Sequence, residues 1–184
     1  MKQKIKKLLE YQIADYVARN PRSRQMAADC QAVLEYFEVK DGVLAGHSMG
    51  ACLAVILAQH SPVVIREHLK GLVLISGHAG SVAKGSVQNQ LQIPLIKLGL
   101  LSAILSSKKL GRMFVRSLFG KVAPKEHVEA MRRIVAGHDT REAVALVNFQ
   151  IKEDYYPGLS RIDVPTVVLS GERDKTCPRW HAER

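Results

Sequence analysis

A serine bracketed by glycines, Gly46-His47-Ser48-Met49-Gly50, is the part of this 184-residue chain whose residue types and order could carry covalent chemistry. Val43-Leu44-Ala45 precede it, and Leu53, Ile56 and Leu57 follow at helical spacing, so the segment reads as strand, sharp turn, helix. A hydroxyl on such a turn is a candidate nucleophile. Glycine is expected at positions 46 and 50 because a side chain there would strike the adjacent strand or helix, while Ser48 itself would take a strained backbone conformation. The turn also sets Ser48 at a helix N-terminus, where the dipole favours negative charge, which makes the Met49 N–H the candidate donor to a developing oxyanion. The alternative is a plain strand-to-helix junction with a capping serine.

The elements that must position this turn follow along the chain. Residues 1–20 carry Ile5, Leu8, Leu9, Ile13, Tyr16 and Val17 at helical spacing with lysines on the other faces, an amphipathic helix packed on the domain. Met26, Cys30, Val33, Leu34 and Phe37 predict a second helix, ending near Lys40-Asp41-Gly42. The helix after Ser48 runs to about His60 and stops at Ser61-Pro62. Gly71 to Ile75 is an apolar strand, and strand, helix, strand implies a right-handed parallel crossover. Ser76, Gly77 and His78 then fall at the carboxyl end of that strand, the edge of a parallel sheet where ligands bind. From about Gly80 to Tyr156 the spacing is helical, with Leu91–Leu105, Met113–Phe119, His127–Val135 and Arg141–Ile151 as the predicted helices. Asp163 to Ser170 is a third strand, followed by Gly171-Glu172-Arg173-Asp174.

With GHSMG, the strand KGLVLIS (Lys70–Ser76) and the stretch IDVPTVVLSGERD (Ile162–Asp174), the chain from about Met26 to Arg184 resembles the α/β-hydrolase superfamily. The resemblance implies a fold class of α/β type: a partial hydrolase core of three parallel strands with flanking helices, residues 1–79 and 157–184, and an inserted helical cap, residues 80–156. Leu95, Ile96, Leu98, Leu100, Leu101, Ile104 and Leu105 would give that cap an apolar face. By the same resemblance Asp174 matches the triad acid, which orients a histidine and stabilises its imidazolium.

The family pattern is not met everywhere. Its histidine lies on a loop after one further strand, and its second oxyanion amide comes from an HG-type loop before the nucleophile strand. Neither occurs in these residues, so the expectation is a fold truncated at both ends. His47 points away from its neighbour on the turn, and His60 lies about 18 Å along the helix. His127, His138 and His181 would each need an unusual arrangement. His78 is expected to line the pocket with His47, as a solvent-satisfied loop histidine more than as a base.

Composition bounds the remaining classes. Cys30, Cys52 and Cys177 are odd in number and share no metal-ligand spacing, which favours free thiols and a cytoplasmic location. The lysine-rich start lacks an apolar core and cleavage site, so it is not expected to act as a secretion signal. The most apolar stretch, Ile93–Leu105, is shorter than the ~20 residues a bilayer span needs, so no stable membrane insertion is expected. The net charge of +10 is spread over basic residues that mix with acidic ones across the chain, and with few aromatics it reads as a solvated surface, not a nucleic-acid site.

Two readings stand. The first is a serine hydrolase with a small apolar or ester substrate, Ser48 as nucleophile, Asp174 as acid, Met49 as half of the oxyanion hole, and no metal or cofactor. The second is a catalytically impaired chain that binds a ligand or pairs with another polypeptide. Three parallel strands also leave two open edges, so self-association through those edges, or marginal stability, is expected.

Overall fold

The computed structural model describes residues 22–137 and 140–184. The predicted helix over residues 1–20 and His138 lie outside them. The described elements are α1 (Arg22–Tyr36), β1 (Gly42–His47), α2 (Met49–His60), α3 (Pro62–His68), β2 (Leu69–Ile75), α4 (Val87–Lys97), α5 (Leu100–Ser106), α6 (Lys108–Arg116), α7 (Lys125–Ala136), α8 (Thr140–Lys152), a 3-10 turn (Tyr156–Arg161), β3 (Thr166–Leu169) and α9 (Trp180–Glu183). The chain falls into two compact units, one running up to Ile75 and including Tyr155–Val168, the other made of Ser76–Asp154 and Leu169–Arg184.

In the first unit the three strands form one sheet in the order β1-β2-β3. β1 and β2 are parallel, with Val43 opposite Gly71 and His47 opposite Ile75. β3 joins through the Leu72 N–H, which donates to the Pro165 carbonyl at 2.9 Å. The expected fold class, an α/β protein with three parallel strands and flanking helices, is the one observed.

α2 is the core helix. Ala51, Cys52, Ala54, Val55, Ile56, Leu57 and Ala58 are all buried, and the small residues among them let β1 and α1 approach closely. Each fully buried leucine or isoleucine here contributes about 1.5–3 kcal/mol. Pro62 ends α2 as predicted, yet its fixed φ also suits a first helical turn, and the chain continues as α3 at 105° to α2. Two polar clasps close this unit: Ser61 Oγ donates to Gln31 Oε1 at 2.9 Å, and Gln59 Nε2 donates to the Tyr155 carbonyl at 2.8 Å. β3, by contrast, is exposed along its whole length.

The second unit is mainly helical. Leu101, Leu105, Val115 and Val128 form its buried cluster, with Ile96, Phe114, Phe119 and Val135 packed against it. The single helix expected over Leu91–Leu105 is two, because Gly99 takes a left-handed conformation (φ 71°) and breaks it. The apolar face expected there is divided in the same way: Leu101 and Leu105 are core, while Leu98 and Leu100 are exposed. Glu129 ties α6 to α7. Its carboxylate accepts from Arg112 at 2.7 Å and from Arg132 at 2.8 Å, and those two guanidinium groups hold it down at about 2. Arg132 also donates to the Leu105 carbonyl at 2.8 Å, stitching α5 to the same network.

The start of α4 is fixed by side chains. Ser86 caps it, its Oγ accepting from the Asn89 N–H at 3.0 Å. The buried Asn89 amide then donates to the carbonyls of Val82 and Thr176, each at 2.8 Å. Among the described residues no single helix is long and apolar enough to cross a membrane.

Candidate active site

β1 delivers the chain to Ser48, which has φ 53° and ψ −117°. A non-glycine residue at positive φ is uncommon and persists only where its surroundings over-determine it. Here both sides do so. The Ser48 N–H donates to the Ile75 carbonyl at 2.8 Å, the last rung of the β1–β2 ladder. Its own carbonyl accepts from Ala51 at 3.1 Å and Cys52 at 3.3 Å, the first bonds of α2. One residue thus ends a strand and opens a helix, which is the kinked junction expected from the sequence.

The Ser48 hydroxyl makes no capping hydrogen bond to α2. An ordinary N-cap serine would use its oxygen for an amide of the first turn, so the side chain is held in place by the backbone and left available, half-buried, for other chemistry. Met49 follows as the first residue of α2, where the helix dipole favours negative charge.

The steric argument for the two glycines divides. A β-carbon at Gly46 would lie 2.4 Å from the Gly50 carbonyl oxygen and 2.7 Å from the Ala51 nitrogen. Both are backbone atoms and cannot swing away, so Gly46 is required. A β-carbon at Gly50 would meet nothing within 4 Å. The clash expected at position 50 is absent among the described residues, because the first turn of α2 carries that Cα away from β1. His47 is exposed on β1, opposite Ile75.

Asp174 and His78 belong to the second unit. Asp174 Oδ1 accepts from the N–H groups of Thr176 at 2.9 Å and Cys177 at 2.8 Å, so the carboxylate organises the turn that leads to α9. Its charge adds to burial in pushing the Cys177 thiol up to about 12.

His78 differs from the solvated loop histidine expected. It is buried, with Nδ1 2.6 Å from the Gly80 carbonyl and Nε2 3.2 Å from Gln150 Oε1. Burial lowers its proton affinity despite those contacts. A neutral ring donates from one nitrogen only; with Nδ1–H on Gly80, the Gln150 amide must turn its NH₂ toward Nε2, an orientation the side chain can adopt by a flip.

A second histidine stands beside it. His181 on α9 is buried, stacks on Trp180 at 4.0 Å between centroids, and lies 5.8 Å from the His78 ring. Burial first, then the neighbouring His78, bring it down to about 4. The pair was not foreseen, since nothing local in the sequence relates positions 78 and 181. Among the described residues no group of three or more His, Cys, Asp or Glu could hold a metal ion.

A three-stranded parallel sheet, a buried helix behind it and a positive-φ serine between the first strand and that helix define an α/β-hydrolase core. The chain belongs to the alpha/beta hydrolase family: the sequence model of that family matches residues 14–184. Among curated proteins none matches it. Its fold is similar to that of an esterase from Exiguobacterium antarcticum (TM-score 0.70, 19% identity), covering 88% of this chain and 59% of that one. A bromoperoxidase from Bacillus anthracis is similar at TM-score 0.71 and 17% identity, over 86% of this chain and 59% of that one. A thermophilic esterase from Thermogutta terrifontis matches at TM-score 0.64 and 21% identity, over 88% of this chain and 58% of its own. The chain therefore spans less than two thirds of the length of these relatives.

Proposed function

We propose that this chain carries the nucleophile of a serine hydrolase acting on an ester or related carbonyl compound. The observation that supports this best is the Ser48 backbone, held at positive φ by a rung of the sheet on one side and the first turn of α2 on the other, with its hydroxyl unused for capping. In this reading Ser48 Oγ attacks the substrate carbonyl, and the Met49 N–H at the head of α2 donates to the oxygen that becomes negative. Asp174 is the acid that orients a histidine. The base is left unassigned. Both ring nitrogens of His78 are engaged and burial disfavours its protonated form, which argues against that residue. Two of the similar structures are esterases, which fits the carbonyl class.

A second reading, a non-catalytic chain that binds a ligand or pairs with another polypeptide, is favoured by one observation: His78 is buried with both ring nitrogens engaged, so it does not offer Ser48 a free base. Labelling with a fluorophosphonate, which reacts with activated serines, separates the two. An adduct in the wild type that is absent in Ser48→Ala supports the hydrolase. Equal labelling of both chains, or none in either, favours the second reading.

A further inference from the structure

α4 presents apolar residues to solvent. Val87, Leu91, Pro94 and Leu98 follow one another at steps of four, three and four, so at 3.6 residues per turn they fall on one stripe. Val87, Leu91 and Leu98 are 71%, 69% and 72% exposed, and Pro94 is exposed with them. The helix is not free to turn this stripe inward. Its opposite side carries Asn89, buried and bonded to Val82 and Thr176, so the rotation of α4 is locked with this stripe outward.

α6 adds to the same neighbourhood. Gln88 Nε2 reaches the Ser117 carbonyl at 3.4 Å, bringing the first turn of α4 beside the end of α6. The outer side of α6 shows Leu110 and Met113, 52% and 63% exposed, while Gly111 and Val115 face the core.

The stretch of sequence that builds these two helices carries charge of one sign. From His68 to Lys125 the sequence contains no aspartate or glutamate, and the second unit's share of that run carries eight lysines and arginines. Arg112 is neutralised by Glu129, and Arg116 is spent on the carbonyls of Gly120 and Lys121. Lys97, Lys108, Lys109 and Lys121 are exposed and have no acidic partner among the described residues.

We infer that the α4–α6 face is an adsorption surface for an anionic lipid leaflet, with Leu91, Leu98 and Met113 entering the interfacial layer and the unpaired lysines meeting the headgroups. The charge selects this occupant. A second copy of the chain would set like charge against like, and a nucleic acid would leave the leucine stripe uncovered. A leaflet satisfies both features, since binding of this kind scales with buried apolar area plus attraction to acidic headgroups. It lies on the surface and spans nothing, consistent with the lengths of these helices.

Co-sedimentation with vesicles tests the inference. The wild type should pellet with vesicles of equal parts phosphatidylcholine and phosphatidylglycerol, and stay in the supernatant with phosphatidylcholine alone. Leu91→Gln with Leu98→Gln adds no charge and changes exposed positions only, with the fold checked by circular dichroism; it should weaken binding roughly tenfold. Lys97→Gln with Lys108→Gln and Lys109→Gln should weaken it as well and flatten its salt dependence. The inference is overturned if the wild type binds neither vesicle, or if the leucine variant binds as tightly as the wild type. A lipid-free dimer dissolved by that same variant would overturn it too, by assigning the face to a second copy.

Discussion

The carbonyl oxygen of Gly50 stands 2.4 Å from the point where a β-carbon on Gly46 would sit, while the space around Gly50's own Cα is open. Two glycines that look equivalent in the sequence therefore do different work. Gly46→Ala should push β1 and α2 apart, costing about 1–3 kcal/mol as overpacking does. Gly50→Ala, in the first turn of α2, should be neutral or stabilise by about 0.4–1 kcal/mol through the unfolded chain. Thermal unfolding of the two variants checks this: Tm falls for the first and holds or rises for the second. Equal losses would mean that position 50 is as confined as position 46.

Asp174 offers a second contrast. Its Oδ1 holds two backbone amides, so Asp174→Ala should lose about 1–2 kcal/mol of stability. Asp174→Asn keeps an acceptor oxygen in the same place and should unfold close to the wild type. Loss of Ser48 labelling in the asparagine variant, with Tm unchanged, would then bear on chemistry and not on folding.

The buried histidines make acid the weak side of the second unit. The folded-state value of His181 lies near 4 against an ordinary 6.5, and His78 is lowered too. A base depressed on folding takes up protons more readily when unfolded, so the stability it contributes is present above pH 6.5 and is lost as pH falls toward 4. Tm should drop between pH 7 and pH 4.5, and His181→Gln should flatten that drop. A Tm that holds across the same range would contradict the burial of both rings.

The thiols give a simple accessibility test. Cys52 and Cys177 are buried and Cys177 is held near 12, whereas Cys30 is half-exposed, its thiol raised by partial burial. At pH 8 the folded chain should react with a disulfide reagent at one thiol at most, slowly, and at all three after denaturation. Fast reaction of two or more thiols in the native chain would show that the second unit opens around Cys177.

The sheet and the turn at Ser48 were legible because their signals are local: short apolar runs for β1, β2 and β3, and a glycine two places before the serine. Helix content in the second unit was legible from the 3.6-residue period, but its boundaries were not. Leu91 to Leu105 satisfies that period throughout, and only the left-handed Gly99 breaks it. α6 begins at Lys108, ahead of the first predicted apolar position, because Ser107 caps it through the Leu110 N–H. That cap was readable and was masked by the polar residues of the first turn. The site divides in the same way. Ser48 and Gly46 follow from neighbours within five residues. The burial of His78 depends on Gln150 and His181, far along the chain, and no period or motif relates such positions.

β3 shows what its surroundings imply for the motions of the sheet. Thr166, Val167, Val168 and Leu169 are exposed, while Gly71 and Leu72 of the neighbouring strand are buried. Local opening begins where few apolar contacts resist it. Deuterium should therefore enter the amides of β3 well before those of β2, and the strand that lies nearest the sequence of Asp174 should be the last to settle and the first to breathe.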